Sequence, residues 1–285
     1  MRMFVRYAWV YSICIGMCLS GIALWRGEFS VGLISVPMQT VGHEMDAEET
    51  AQILQQPYHF LAKGRQTFVF ESQDRKWVVK FFNNKYLRMP WYSFLLWDQD
   101  KEREKRERRW SFYLHSYGLA AKYLKEQTCI VYLHDGKTSG LPVIRVQDQT
   151  GRRFSIDLNC VPFVVQKKGD LLCDRLSIHN KGQCTQMLNS FLELIAIRIS
   201  LGIADADHDV EHNFGYMNGR VFHLDPGRLF TEDLSDPARQ AHEWWSATHN
   251  LRKWLEQNAP EVLLDFDEQI TNWRKGCFVT EEASG

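Results

Sequence analysis

From residue 58 onward the chain alternates short apolar runs with polar turns. Segments 58–62, 66–71 and 76–82 are each aromatic or β-branched. Lys63-Gly64-Arg65 separates the first two, and Ser72 to Arg75 separates the last two. This spacing predicts three strands in an antiparallel meander. The third, WVVKFF, carries Lys80 among apolar neighbours. Residues 98–116 interleave charges in the manner of an exposed helix, with Trp110, Phe112 and Leu114 near the end. Strand-like runs recur at 128–133, 141–146, 153–158 and 161–165. The period then changes. Residues 185–201 place Met187, Leu188, Phe191, Leu194, Ile195 and Ile199 on one side, and Gly202 stands where a helix ends. Asp236 before Pro237 is a cap and first-turn pair for a helix containing Trp244, Trp245, Thr248, Leu251 and Leu255, and a last helix is expected over 260–273. Strands first and helices later predict an α+β protein of two lobes, the first built on a small antiparallel sheet and the second mainly helical.

The start of the chain has a different pattern. Tyr7 to Trp25 is a run of 19 residues without a charge, preceded by Arg2 and Arg6. That length suits a transmembrane anchor, with a cleaved signal as the alternative. The expected organisation is therefore an anchor or signal segment at 1–25 and a juxtamembrane connector at 26–50. A sheet-rich lobe follows at 51–165 and a helical lobe at 166–285. Attachment to a membrane through the N-terminal helix is the expected location. The side of the membrane is open, because the charge rule puts Arg2 and Arg6 inside and the bulk of the chain outside.

Composition changes this picture little. The 285 residues have a formal net charge of -1, which gives no electrostatic signature of a nucleic-acid partner. The seven cysteines are scattered without a CxxC pair, which argues against a disulfide framework or a zinc ribbon. The run 101–109 holds six basic residues against three acidic ones and reads chiefly as a solvated face, with an anionic-ligand site as the alternative.

The candidate chemistry lies in residues 202–230. An Asp/His-rich loop leads into Asn213, and a hydrophobic strand then delivers Asp225 before Pro226 and Gly227. An amide oxygen and a carboxylate brought together by a hairpin suit a magnesium ion carrying phosphates. Lys80 supplies a positive charge from a strand well upstream. A glycine turn, a lysine strand, a glutamate-bearing helix, an asparagine and an Asp-Pro-Gly come in the order found in protein-kinase-like enzymes, which the chain resembles over about 58–230. Its loop 202–227 is most similar to the atypical, lipid-kinase-like members.

The resemblance implies ATP and Mg2+ as cofactors and phosphate transfer to a small-molecule, lipid or glycan acceptor. It implies Gly64 as the remnant of a glycine-rich loop, Lys80 on the nucleotide, and Glu107 (Glu104 second) as the partner of Lys80. Residues 163–168 would form the hinge under the adenine, and Asn213 and Asp225 would be the metal ligands. The position five before the asparagine, where the family carries its catalytic aspartate, is His208, so the catalytic candidates are the flanking Asp207 and Asp209. That displacement and the single loop glycine leave a second reading, a pseudokinase acting as a membrane-tethered nucleotide-binding scaffold. A third is a zinc metallohydrolase, because His208, Glu211 and His212 spell HxxEH, which on a helix would place both histidines on one metal.

Overall fold

A computed structural model describes residues 29–36, 38, 47–89, 93, 98–178 and 180–278. The anchor or signal expected at 1–25 lies outside the described residues, and among those described no helix is long and apolar enough to cross a membrane.

The chain is an α+β protein. Helix α1 (Ala47–Leu54) precedes the three-strand meander, β1 (Tyr58–Lys63), β2 (Thr67–Ser72) and β3 (Trp77–Phe82). Helix α2 (Gln99–Tyr123) and the short α3 (Lys125–Thr128) follow, then β4 (Ile130–His134), β5 (Val143–Gln147), β6 (Arg153–Asp157) and β7 (Phe163–Lys167). These seven strands form one mixed sheet in the order β4-β7-β3-β2-β1-β5-β6, in which only the β1–β5 pair is parallel.

Lys80 pairs with Val69 on one side and Val164 on the other, so these residues share one face. Val79, Phe81, Phe163 and Val165 alternate onto the opposite face, in a core that also buries Phe68, Phe70, Ile53 and Leu54. Phe29 and Ile34 belong to this core, with Phe29 edge-on to Phe70 at 4.9 Å. Residues read in the sequence as connector therefore help to close the sheet.

The second part is centred on α5 (Lys181–Ser200), preceded by β8 (Asp170–Leu171) and α4 (Leu172–Ile178). The apolar stripe of α5 is buried against Trp244, Ala247, Leu251 and Leu255 of α7 (Pro237–Asn258) and against Phe266 of α8 (Leu263–Phe278). Asp236 caps α7 by accepting from the Ala238 amide at 2.9 Å.

Two small sheets sit beside these helices. One is β11-β10-β8, with β10 (Phe214–Met217) and β11 (Arg220–His223) joined by a hairpin. The other pairs β12 (Leu229–Thr231) with β9 (Ile203–Asp205), and the four-residue helix α6 (Val210–Asn213) lies between β9 and β10. The hairpin turn is Asn218-Gly219, both at positive φ (50° and 84°), the backbone that two-residue hairpins favour.

Helix α2 joins the two parts. Its first half is exposed and its second half buries Tyr113, Ser116, Tyr117, Leu119 and Ala120. It runs seven residues beyond the end expected at 116, because tertiary burial overrides the weak local propensity of a stretch containing Gly118.

Candidate active site

Three segments converge where the face of the large sheet bearing Lys80 meets the β10–β11 hairpin. Lys80 is 5% exposed, and its Nζ donates to the Leu224 carbonyl at 2.5 Å. Burial pushes its pKa down to about 8, and the charge of Asp225 opposes that shift. At neutral pH Lys80 is a buried cation whose companion charge is Asp225. Gln166 of β7 comes from the same face of the sheet. It is fully buried and donates through Nε2 to the Thr128 carbonyl (2.6 Å) and to the His223 and Leu224 carbonyls (both 3.2 Å). The end of β11 is thus anchored to the sheet by two side chains.

The hairpin brings Asn213 and Asp225 close together. Phe214 pairs with His223, and the Leu224 amide donates to the Asn213 carbonyl at 2.7 Å. Asn213 is 6% exposed, and its Nδ2 donates to the Asp207 carbonyl at 3.2 Å. That bond orients the amide and leaves Oδ1 as an acceptor. Asp225 Oδ1 accepts from Tyr117 Oη at 3.0 Å and from the Gly227 amide at 3.2 Å. Among the described residues, no donor reaches Asp225 Oδ2 or Asn213 Oδ1. Two oxygen acceptors beside a buried cation make a hard donor set, which fits Mg2+ in its preference for oxygen ligands.

The second half of α2 holds the Asp225 loop. Ser116 Oγ donates to the Pro226 carbonyl and accepts from the Leu229 amide at 2.6 Å. The Tyr113 ring lies directly on Gly227, where an added Cβ would come within 2.0 Å of Cε2. A glycine is required there by that close approach. Burial, and then the Asp225 charge, raise the pKa of both Tyr113 and Tyr117 well above the usual phenol value, so Tyr117 acts as a neutral donor.

The remaining sequence candidates fall in different places. Asp207 is half-buried, tied to Asn213 through its carbonyl, and held by a 2.9 Å bond from its amide to Asp205 Oδ1. Asp209 caps α6, accepting from the Glu211 amide (3.1 Å), the His212 amide (3.3 Å) and the His212 ring (3.0 Å to Oδ2). Gly64 sits in the tight β1–β2 turn, its amide donating to the Thr67 carbonyl at 2.9 Å.

Glu107 is not brought to Lys80. It is exposed, as is Glu104. It precedes Tyr117 by ten residues, about 15 Å of helix, so the α2 residue at the site is Tyr117. The expected Lys80–Glu107 pair is corrected accordingly. The expected hinge at 163–168 is strand β7 as far as Lys167, next to the edge strand β4.

The HxxEH reading is corrected as well. Asp209 starts α6 after His208, so His208 and His212 do not share a helix turn. The His212 ring turns back to Asp209. No cluster of three metal-ligating side chains occurs among the described residues.

Behind the loop lies a second buried polar group that sequence reasoning missed. Arg198 Nη1 pairs with Glu243 Oε1 at 2.7 Å and donates to the Ile203 carbonyl at 3.2 Å. The same Glu243 oxygen accepts from the Asp205 amide at 3.2 Å. Burial pushes the Asp205 carboxyl up to about 7, with Arg198 opposing, and pushes His223 down to about 3. His223 is therefore neutral, and its 3.5 Å approach to Asp205 Oδ2 is a contact rather than an ion pair. It stacks at 4.8 Å on Phe214. These residues hold β9 and the backbone leading to Asp207. No local pattern announces them. The aromatic and hydroxyl groups at 113, 116 and 117 did offer a signal, being spaced i, i+3 and i+4 on one helical face.

No family model matches the chain, and no curated protein does. Among solved structures, the chain is similar to the high-resolution structure of WbdD, with 16% identity and a TM-score of 0.40 over 86% of this chain and 48% of that one. A co-crystal structure of WbdD with the kinase inhibitor LY294002 gives 18% identity and a TM-score of 0.38 over 74% and 45%. A further structure, described as the bifunctional kinase-methyltransferase WbdD, gives 16% and 0.38 over 86% and 49%. The chain spans about half the length of these three structures.

Proposed function

We propose that the chain is a kinase-like phosphotransferase that moves the terminal phosphoryl group of Mg-ATP to a hydroxyl of a small-molecule, lipid or glycan acceptor. The observation that carries this reading is the hairpin that joins Asn213 to Leu224 and so to Asp225, beside the buried cation Lys80. The order of the parts agrees with it, since a lysine on the third strand, an asparagine loop and a strand-end aspartate are the phosphate and metal positions of kinase-like enzymes. Asn213 and Asp225 would hold Mg2+. When bound, the metal neutralises phosphate charge and orients the transferred group.

The protein's own contribution is positioning. Lys80 offers a protonated amine to the phosphates, which it reaches by exchanging its bond to the Leu224 carbonyl for one to an anion. Tyr117 and the Gly227 amide fix the Asp225 carboxylate through Oδ1, which leaves Oδ2 for the ion. Asp207 orients the acceptor hydroxyl and takes its proton as the new O–P bond forms and the bond to the leaving ADP breaks. Its tie to Asn213 supports this choice, because Asp209 is engaged as a helix cap.

Magnesium-dependent release of ADP from ATP, in the presence and absence of candidate acceptors, tests the proposal. Activity that is lost in Asp225→Asn and Asp207→Asn but kept in Asp209→Asn supports it. Equal activity in all three variants overturns it.

One observation favours a second reading. Lys80 has no acidic partner from α2 and rests on a backbone carbonyl. A non-catalytic nucleotide-binding scaffold would bind ATP but release no ADP in the same assay.

A further inference from the structure

The basic run on α2 shows two kinds of cation. Lys101, Arg103 and Arg106 are paired with acids one turn before them, at 2.9 Å to Asp98, 3.4 Å to Asp100 and 2.7 Å to Glu102. Lys105, Arg108 and Arg109 are not. Among the described residues none of these three forms an ion pair. They lie at i, i+3 and i+4, which puts them on one face of the helix. That face lines a cavity of about 690 Å3.

The other walls add more positive charge. Arg65 comes from the β1–β2 turn and Arg228 from the loop just after Asp225, and among the described residues no carboxylate lines the cavity. Two buried donors also lack acceptors there. Among the described residues Arg228 Nε has no hydrogen-bond partner, nor has Asn83 Nδ2, although Asn83 is 1% exposed and its Oδ1 accepts from the Lys85 amide at 3.1 Å.

Five like charges around one cavity repel each other, and a buried N–H without an acceptor is costly. Both penalties are relieved by a ligand that brings negative charge and several acceptor oxygens. Guanidinium groups on three separate elements match the oxygens of a phosphate better than they match a single carboxylate. We propose that this cavity binds the phosphate or pyrophosphate group of a ligand, separately from the Lys80–Asn213–Asp225 site. The separation is physical. Among the described residues none of those three lines the cavity, which borders the Asp225 loop through Tyr113, whose ring lies on Gly227, and through Arg228. The proposal rests on this cavity and is independent of the phosphotransferase reading.

The test uses the full chain in EDTA, so that no divalent metal supports the Lys80 site. Pyrophosphate is titrated calorimetrically, with sodium chloride at matched ionic strength as the control. Binding should persist in Lys80→Met and weaken at least tenfold in Arg108→Gln/Arg109→Gln, two exposed positions whose change leaves the fold intact. Arg228→Gln should weaken it as well, and added salt should weaken it progressively.

Two further arms identify the source of the phosphate. Competition by glycerol 3-phosphate assigns the cavity to soluble phosphate esters. Retention of the wild type, but not of the double variant, on phosphatidic-acid vesicles assigns it to a lipid headgroup. The proposal is overturned if pyrophosphate fails to bind, if the double variant binds it within twofold of wild type, or if Lys80→Met abolishes binding.

Discussion

Asp205 ends β9, Asp225 follows the end of β11 by two residues, and each stands near a buried cation in different surroundings. Asp205 is 5% exposed and shares its surroundings with Glu243 as well as Arg198. Burial pushes its carboxyl up to about 7; Arg198 opposes that shift and the neighbouring Glu243 adds a smaller push upward. Asp225 has Lys80 as companion charge, a tyrosine and a backbone amide on one oxygen, and no donor on the other among the described residues. The first group shares one cation between two carboxyl groups inside the fold, and among the described residues Arg198 Nε and Nη2 find no acceptor there. The second leaves oxygen valence for something outside the chain. What separates two buried carboxylates is the set of charges each shares its surroundings with, and burial alone does not mark a ligand site.

The largest expected effect breaks the buried Arg198–Glu243 pair. Arg198→Met leaves Glu243 buried without its cation and should cost about 3–5 kcal/mol, read as a shifted denaturation midpoint. Asp225→Asn should instead leave the midpoint nearly unchanged and lower any magnesium-dependent turnover by roughly a hundredfold or more. A variant that unfolds the protein would place Asp225 with Asp205.

Gly227→Ala forces Tyr113 off the loop and should cost about 1–3 kcal/mol, with a matching loss of nucleotide affinity. Glu107→Ala, on the exposed half of α2, should change stability by less than about 0.5 kcal/mol and leave nucleotide binding intact. A large effect there would revive the Lys80–Glu107 pair.

Titration sharpens the same contrast. Asp205 holds its proton more tightly in the fold than in the unfolded chain. Its contribution to stability is therefore fully present below its ordinary 3.8 and is lost as pH rises through about 7. The melting temperature of wild type relative to Asp205→Asn should fall between those values. His223, held neutral down to about 3, contributes stability that is present above its ordinary 6.5 and lost as pH falls through about 3. It acts in both proteins and largely cancels in the difference. At the open site, Lys80 loses its proton near pH 8, so nucleotide binding should weaken from about that pH, well below the 10.5 of an ordinary lysine.

The sequence shows the meander and the helix of 185–201 because their side chains alternate or recur at the period of the element. It shows Asn213 and Asp225 because one hairpin, closed by Asn218-Gly219, joins them. The grip of α2 on that hairpin is not visible in the same way. The charged half of α2 advertises a helix, whereas Tyr113, Ser116 and Tyr117 work only once the two parts of the chain are packed together. That is why the glutamates of the visible half stood in for the tyrosine of the hidden one. Gln166 and the Arg198–Glu243 pair are likewise products of tertiary contact between segments far apart in sequence.

Calorimetric titration of the protein with ATP, with and without Mg2+, in wild type, Asp225→Asn and Asp205→Asn, bears most directly on the central claim. Asn213, Asp225 and Lys80 as a metal–nucleotide site predict tight binding only with Mg2+, lost in Asp225→Asn and kept in Asp205→Asn. Magnesium-independent binding, or equal binding in wild type and Asp225→Asn, would contradict the account.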